Sequence, residues 1–208
     1  FFNDAAIGIA PSPAELERYA NELMVAQDAT PCELDAASSE RNSLRFSHMA
    51  NSGYVRADGP GAALLIDVAR VGPDYLPGHA HADTLSFELS LFGQRIIVNG
   101  GTSRYGHGPE REAERGTPAH STVTVDGLNS SEVWAGFRVA RRARPFDLSI
   151  TRETGNLQIS CAHDGYRRLA GQPVHRRIWL FQPGMLRVHD YVEGRFSLAI
   201  ARDRKSTR

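Results

Sequence analysis

The hydrophobic positions of this chain recur at every second residue far more often than at helical spacing. Leu85, Phe87, Leu89 and Leu91 alternate with Ser86, Glu88 and Ser90, the period of a half-buried β-strand. Phe92-Gly93-Gln94 makes a turn, and Arg95–Val98 returns as a β-branched strand. The same pattern predicts strands over Leu44–Ala50, Gly53–Ala57, Ala62–Ala69 and Ser121–Val125. It continues over Val133–Ala143, Leu148–Arg152, Leu157–Ala162, Val174–Gln182, Met185–Val192 and Phe196–Ala201. Many short strands at hairpin spacing predict a mainly β protein, an antiparallel β-sandwich.

One segment has helical period. In Ser12-Pro13-Ala14-Glu15, serine serves as N-cap, proline takes the first helical position and glutamate the third. Leu16, Tyr19, Ala20 and Leu23 then share a face to about Ala26. A lone helix is not a domain, and the polar stretch Asp28–Asn42 reads as a linker. The chain therefore divides into a helical fragment over residues 1–30 and a β domain over 31–208. Within the β domain, Gly100–Pro118 reads as one long irregular segment, and loops of that length are functional or disordered.

Composition narrows the classes. Lys+Arg and Asp+Glu both number 24 in 208 residues, so net charge points to no partner. Lys205 is the only lysine, and Arg138, Arg141, Arg142 and Arg144 cluster. Guanidinium groups recognise carboxylates and sulfates bidentately, which suits an acidic glycan; a solvated strand face is the plainer reading. Cys32 and Cys161 form either one disulfide or two free thiols. No apolar run is long enough to span a membrane, and no nucleic-acid module is recognisable. FFNDAAIG lacks the features of a signal peptide and there is no initiator methionine, so a piece of a longer protein is expected.

The candidate chemistry lies with histidine. His79 and His81 sit two apart just before the central hairpin, with Asp83 beyond them. An extended chain there would project all three from one face. With His120 they suit a metal site, acid–base catalysis, or buried hydrogen bonding. His48, His107, His163, His175 and His189 are read as structural, Trp134 and Trp179 as core or sheet-face aromatics, and Glu88 as solvent-facing or paired with an arginine.

The segments GHAHADTLSFEL (Gly78–Leu89), VNGGT (Val98–Thr102), RGTPAHSTVTVDG (Arg115–Gly127) and SEVWAGFRVARRARP (Ser131–Pro145) resemble the heparinase II/III-like family. HRRIWLFQPGMLRVHDYVEG (His175–Gly194) continues the likeness more diffusely. The resemblance implies an antiparallel β-sandwich following a helical (α/α) toroid, of which residues 1–30 would be the last remnant. It implies β-eliminative cleavage of a uronic-acid-containing polysaccharide in a cleft shared with the toroid of the same protein. His79 would be base or acid, Tyr105 its phenolic partner, and Arg115 a partner of the substrate carboxylate. Zinc would be bound by His81, Asn99 and His120. Asn99 stands where the family carries aspartate, so one negative charge is lost, and Asp83 is the alternative carboxylate. An acidic polysaccharide partner and a periplasmic or secreted location go with this reading. The rival is a non-catalytic sandwich that binds acidic glycans or supports a polysaccharide-biosynthesis protein.

Overall fold

A computed structural model describes residues 2–4, 11–22, 44–153 and 155–202. The helix α1 spans Pro13–Glu22 and opens with the expected reciprocal cap. The Ser12 backbone N–H donates to Glu15 Oε2 at 2.7 Å, and the Glu15 N–H donates to Ser12 Oγ at 3.3 Å. Its anticipated last turn, the linker, the 30/31 boundary and Cys32 lie outside the described residues.

The β domain is built from two main antiparallel sheets. The first runs β1 (Arg45–Met49), β2 (Tyr54–Gly59), β3 (Ala62–Asp67), β4 (Phe87–Leu91) and β5 (Gln94–Ile97), in that order. The second has the order β12-β11-β10-β9, from β9 (Pro145–Glu153), β10 (Asn156–His163), β11 (Val174–Gln182) and β12 (Met185–Glu193). Alternation sets which side chains meet: in β11, His175, Arg177, Trp179 and Phe181 are buried while their neighbours are partly exposed. Trp179 and Phe181, with Leu157 and Ile159 of β10, close against Val55, Leu64, Ile66, Phe87 and Leu89 of the facing sheet. Burial of this apolar surface, at about 25 cal/mol per Å², holds the two layers together. The antiparallel sandwich is as the strand pattern predicts.

Two small sheets complete the fold: β6 (Val123–Val125) with β13 (Ala199–Ala201), and β7 (Val133–Trp134) with β8 (Arg138–Val139). The single strand expected over Val133–Ala143 is thus broken into a tight hairpin. Ala135, Gly136 and Phe137 form its three-residue loop, and Ala135 and Gly136 take left-handed φ of 46° and 72° to reverse the chain. A second departure lies within Gly100–Pro118, where Pro109–Arg115 forms the helix α2. Pro109 at the first helical position and the residues EREAER favour a helix. The buried face of α2 is made by Arg111 and Arg115, so no apolar period marks it.

Trp179 is core, as expected, while Trp134 is 45% exposed. Glu88 pairs with Arg95 across the β4–β5 hairpin at 2.8 Å and also accepts the Asn99 backbone N–H. Cys161 is a buried free thiol whose pKa burial pushes up to about 12.

Candidate functional site

The segment Pro77–Ser86 leads into β4 but is not extended. Pro77–His79 forms a 3₁₀ turn, and Leu85 takes a left-handed φ of 63°. A buried irregular backbone must satisfy its carbonyls through side chains, and this one does. Arg115 Nε and Nη2 donate to the Ala80 carbonyl at 3.1 and 3.0 Å. Thr117 Oγ1 donates to the Ala82 carbonyl at 2.7 Å, Thr122 Oγ1 to Thr84 at 3.0 Å, and Arg177 Nη1 to Leu85 at 2.9 Å. The histidine segment is therefore clamped by residues from α2, the turn after it, and β11.

The expectation that His79, His81 and Asp83 project from one extended face is replaced by a different arrangement. His79 has a side chain 58% exposed, His81 is fully buried, and Asp83 is buried. A carboxylate from far upstream joins the two rings. Asp4 Oδ2 lies 2.7 Å from His79 Nδ1, and Asp4 Oδ1 lies 2.9 Å from His81 Nε2. Arg111, also fully buried, donates Nη2 to Asp4 Oδ2 at 2.7 Å and closes a second, shorter bond through Nη1. Burial opposes the charge on Asp4. The hydrogen bonds from His81, Arg111 and His79, and the Arg111 charge, outweigh it and hold the carboxyl well below the usual range.

A carboxylate only accepts, so each histidine nitrogen facing Asp4 carries the proton. In the neutral form of each ring, His79 Nε2 and His81 Nδ1 then carry the lone pairs. His81 Nδ1 is buried with no hydrogen-bond partner among the described residues. The His81 ring stands 5.3 Å from that of His120, whose Nδ1 lies 2.8 Å from Asn99 Oδ1. Asn99 Nδ2 lies 3.4 Å from Ser86 Oγ. His81, Asn99 and His120 are thus brought together in one buried cluster. Its donor set, an oriented imidazole with a vacant lone pair, a second imidazole and an amide oxygen, suits a borderline-soft divalent cation. No third histidine, cysteine or carboxylate completes such a cluster among the described residues.

Tyr105 is 57% exposed, and its ring meets His79 edge-on at 5.9 Å. Phe137 stacks on Tyr105 at 6.2 Å and touches His79 at 6.0 Å. Arg111 lies behind both rings, 5.6 Å from Tyr105 and 5.2 Å from Phe137. Together these residues form an exposed aromatic-lined patch around a half-exposed imidazole.

Arg115 lies elsewhere than expected of a group that meets a substrate carboxylate. It is fully buried. Besides Ala80 it donates to the Gly136 and Arg138 carbonyls, at 2.7 and 3.3 Å. It positions the histidine segment against the β7–β8 hairpin.

Residues 41–199 match the family model "Heparinase II/III-like, C-terminal". The chain belongs to the heparinase II/III-like family. Among solved structures, this heparinase II/III-like domain is similar to heparan sulfate lyase HepC from Pedobacter heparinus. The TM-score is 0.64 at 18% identity, over 93% of this chain and 29% of that one. A structure of heparinase III gives a TM-score of 0.61 at 16% identity, over 93% of this chain and 30% of that one. At this identity the likeness establishes the fold. The domain spans less than a third of the length of these proteins. No curated protein matches it in sequence.

Asp4, Asn3 and Arg111 carry much of the site and have no sequence signal of their own. The Asn3 side-chain oxygen accepts the His81 backbone N–H at 3.2 Å, and its amide lies 3.3 Å from the Tyr54 hydroxyl. The one available hint is the spacing of Arg111 and Arg115, four apart and hence on one face of a helix.

Proposed function

We propose that this domain forms one wall of the active site of a polysaccharide lyase that cleaves a uronic-acid-containing polymer by β-elimination. The observation that carries the reading is His79, held through Nδ1 by Asp4 and thereby left with a lone pair on Nε2, half exposed beside Tyr105. In β-elimination a base removes the proton from C5 of the uronate. The C5–H electrons form the C4=C5 double bond, the C4–O4 bond breaks, and an acid protonates O4. His79 Nε2 is suited to take the C5 proton, and the Tyr105 hydroxyl to give one to the leaving oxygen. Asp4 fixes the tautomer and offsets the imidazolium charge that forms.

The exposed apolar side chains Leu16 and Tyr19 of α1 support a helical toroid domain of the same protein as the other wall. An acidic polysaccharide outside the cytoplasm, met in the periplasm or after secretion, is the matching substrate. A zinc ion would be held by His81 and His120 with Asn99 beside them. It would supply positive charge behind the site.

The test follows ultraviolet absorbance of the unsaturated uronate product, with the full-length protein on heparan-type and alginate-type polymers. The reading requires an absorbance gain that falls about 10²- to 10⁴-fold in His79→Ala. Retention of the polymer on the protein with no absorbance change would overturn it in favour of a glycan-binding domain.

A further inference from the structure

The β7–β8 hairpin carries Phe137 to the His79 patch at its tip, and Trp134 precedes that tip on β7. Trp134 is 45% exposed and borders a cavity of about 480 Å³ that also includes Glu132, Arg141 and Arg168. Arg141 is shared with a second, smaller cavity of about 230 Å³, where it is joined by Arg70, Arg142 and Arg144. Four arginines line it with one carboxylate, Asp74, which pairs with Arg142 at 2.8 Å. Arg142 is also anchored at 3.3 Å to the Val71 carbonyl. Arg141 pairs with Glu132 at 2.8 Å, and the Arg144 backbone N–H donates to Asp164. Arg168, in the Trp134 cavity, is bound to the carbonyls of Ser130, Gly165 and Asn129. The side chains of Arg70 and Arg144 are exposed at the rim.

We propose that the two cavities form an extended subsite for a sulfated or carboxylated sugar. Trp134 is the stacking platform, and Arg70, Arg141, Arg142 and Arg144 are the anion anchors. An apolar ring face beside a cluster of guanidinium forks matches a sugar ring bearing a charged substituent. The excess of arginine over carboxylate in the smaller cavity favours an anion over a neutral glycan. The direction of the chain, from His79 along the hairpin towards Arg70, rests on the lyase reading above; the binding chemistry does not.

The test measures binding of a size-defined sulfated heparin oligosaccharide and of an uncharged oligosaccharide of equal length. The full-length protein carries His79→Ala throughout, so that no turnover occurs. The subsite requires Arg70→Gln with Arg144→Gln to weaken the sulfated ligand at least about tenfold, which is the loss of about 1.4 kcal/mol. The melting temperature should stay unchanged. The control pair Arg152→Gln with Arg187→Gln removes equal charge from exposed positions on the second sheet and should leave affinity intact. The ligand should also perturb tryptophan fluorescence, and Trp134→Phe should reduce that change, since Trp179, the other tryptophan of this domain, is fully buried. Equal weakening by both arginine pairs, or binding of the uncharged ligand as tightly as the sulfated one, overturns the subsite. The lyase reading fails separately, when the protein with His79 intact gives no ultraviolet product.

Discussion

Asp4 Oδ1 lies 2.9 Å from His81 Nε2 across 77 positions of sequence, and the same carboxylate binds His79 and Arg111. Its removal leaves a buried guanidinium without a counter-charge. Asp4→Asn is therefore expected to cost about 3–5 kcal/mol of stability, the range for breaking a buried pair. In an Arg111→Met background the same change should cost much less, because the guanidinium that Asp4 binds directly is gone. Denaturant unfolding of the four proteins in this cycle measures the coupling. Additive losses would show that Asp4 and Arg111 do not act as a pair.

Gly136 joins the two buried arginines of α2. Its carbonyl accepts Arg111 Nε at 3.1 Å and Arg115 Nη1 at 2.7 Å. Its φ is +72°, and a Cβ there would stand 2.5 Å from the Gly106 carbonyl oxygen. Gly136→Ala must shift that carbonyl or the Gly106 loop. The expected loss is about 1–3 kcal/mol, and the proposed lyase activity should fall with it because Phe137 and Tyr105 frame His79. Unfolding and activity measured on the same preparation check it; an unperturbed variant would mean that the hairpin tip moves freely.

The sandwich was legible because its strands obey a period of two and their turns use glycine, proline and asparagine, both local properties of the chain. The cap on α1 was legible for the same reason. The proximity of His81, Asn99 and His120 followed from family likeness, and the structure does bring them into one buried cluster. Helix α2 has a proline at its first position and helix-forming residues but no apolar period, because its buried face is arginine. Asp4 carries no local signal, because its partners lie 75 to 107 positions away. Arg115 matched a family position, but burial and carbonyl bonding, which no linear pattern reveals, decide what it does.

A second buried chain of polar groups bears on acid stability. The Gly165 N–H donates to His163 Nδ1 at 3.1 Å, so His163 Nε2 carries the proton and faces His175 Nδ1 at 3.1 Å. His175 Nε2 then donates to Asp190 at 2.7 Å, and Arg177 caps that carboxylate. Burial first, then the neighbouring positive charges, lowers the pKa of His163; burial lowers that of His175 despite Asp190. Both are neutral in the fold and would take up protons on unfolding near the ordinary histidine value, about 6.5. Stability should therefore be flat above that pH and fall as pH drops below it. Unfolding free energy measured from about pH 8 to about pH 5 checks this. A His163→Asn, His175→Gln variant should lose most of that slope, and an unchanged slope would place its origin elsewhere.

If the proposed cation is held by His81 and His120, Asn99 is the neighbour that tunes its affinity. A carboxylate at this position would restore one negative charge beside the two imidazoles, at an atom already 2.8 Å from His120 Nδ1. A change of this kind at a metal site typically alters affinity by about 10- to 100-fold. Asn99→Asp is expected to retain more zinc through dialysis than the unaltered protein, and His81→Ala less. Elemental analysis gives the metal content directly. The chelator-induced drop in melting temperature should follow the same order, because bound metal stabilises the folded state by mass action. Equal zinc in all three proteins would show that the ion is held at some other place, and that the lone pair on His81 Nδ1 has a different partner.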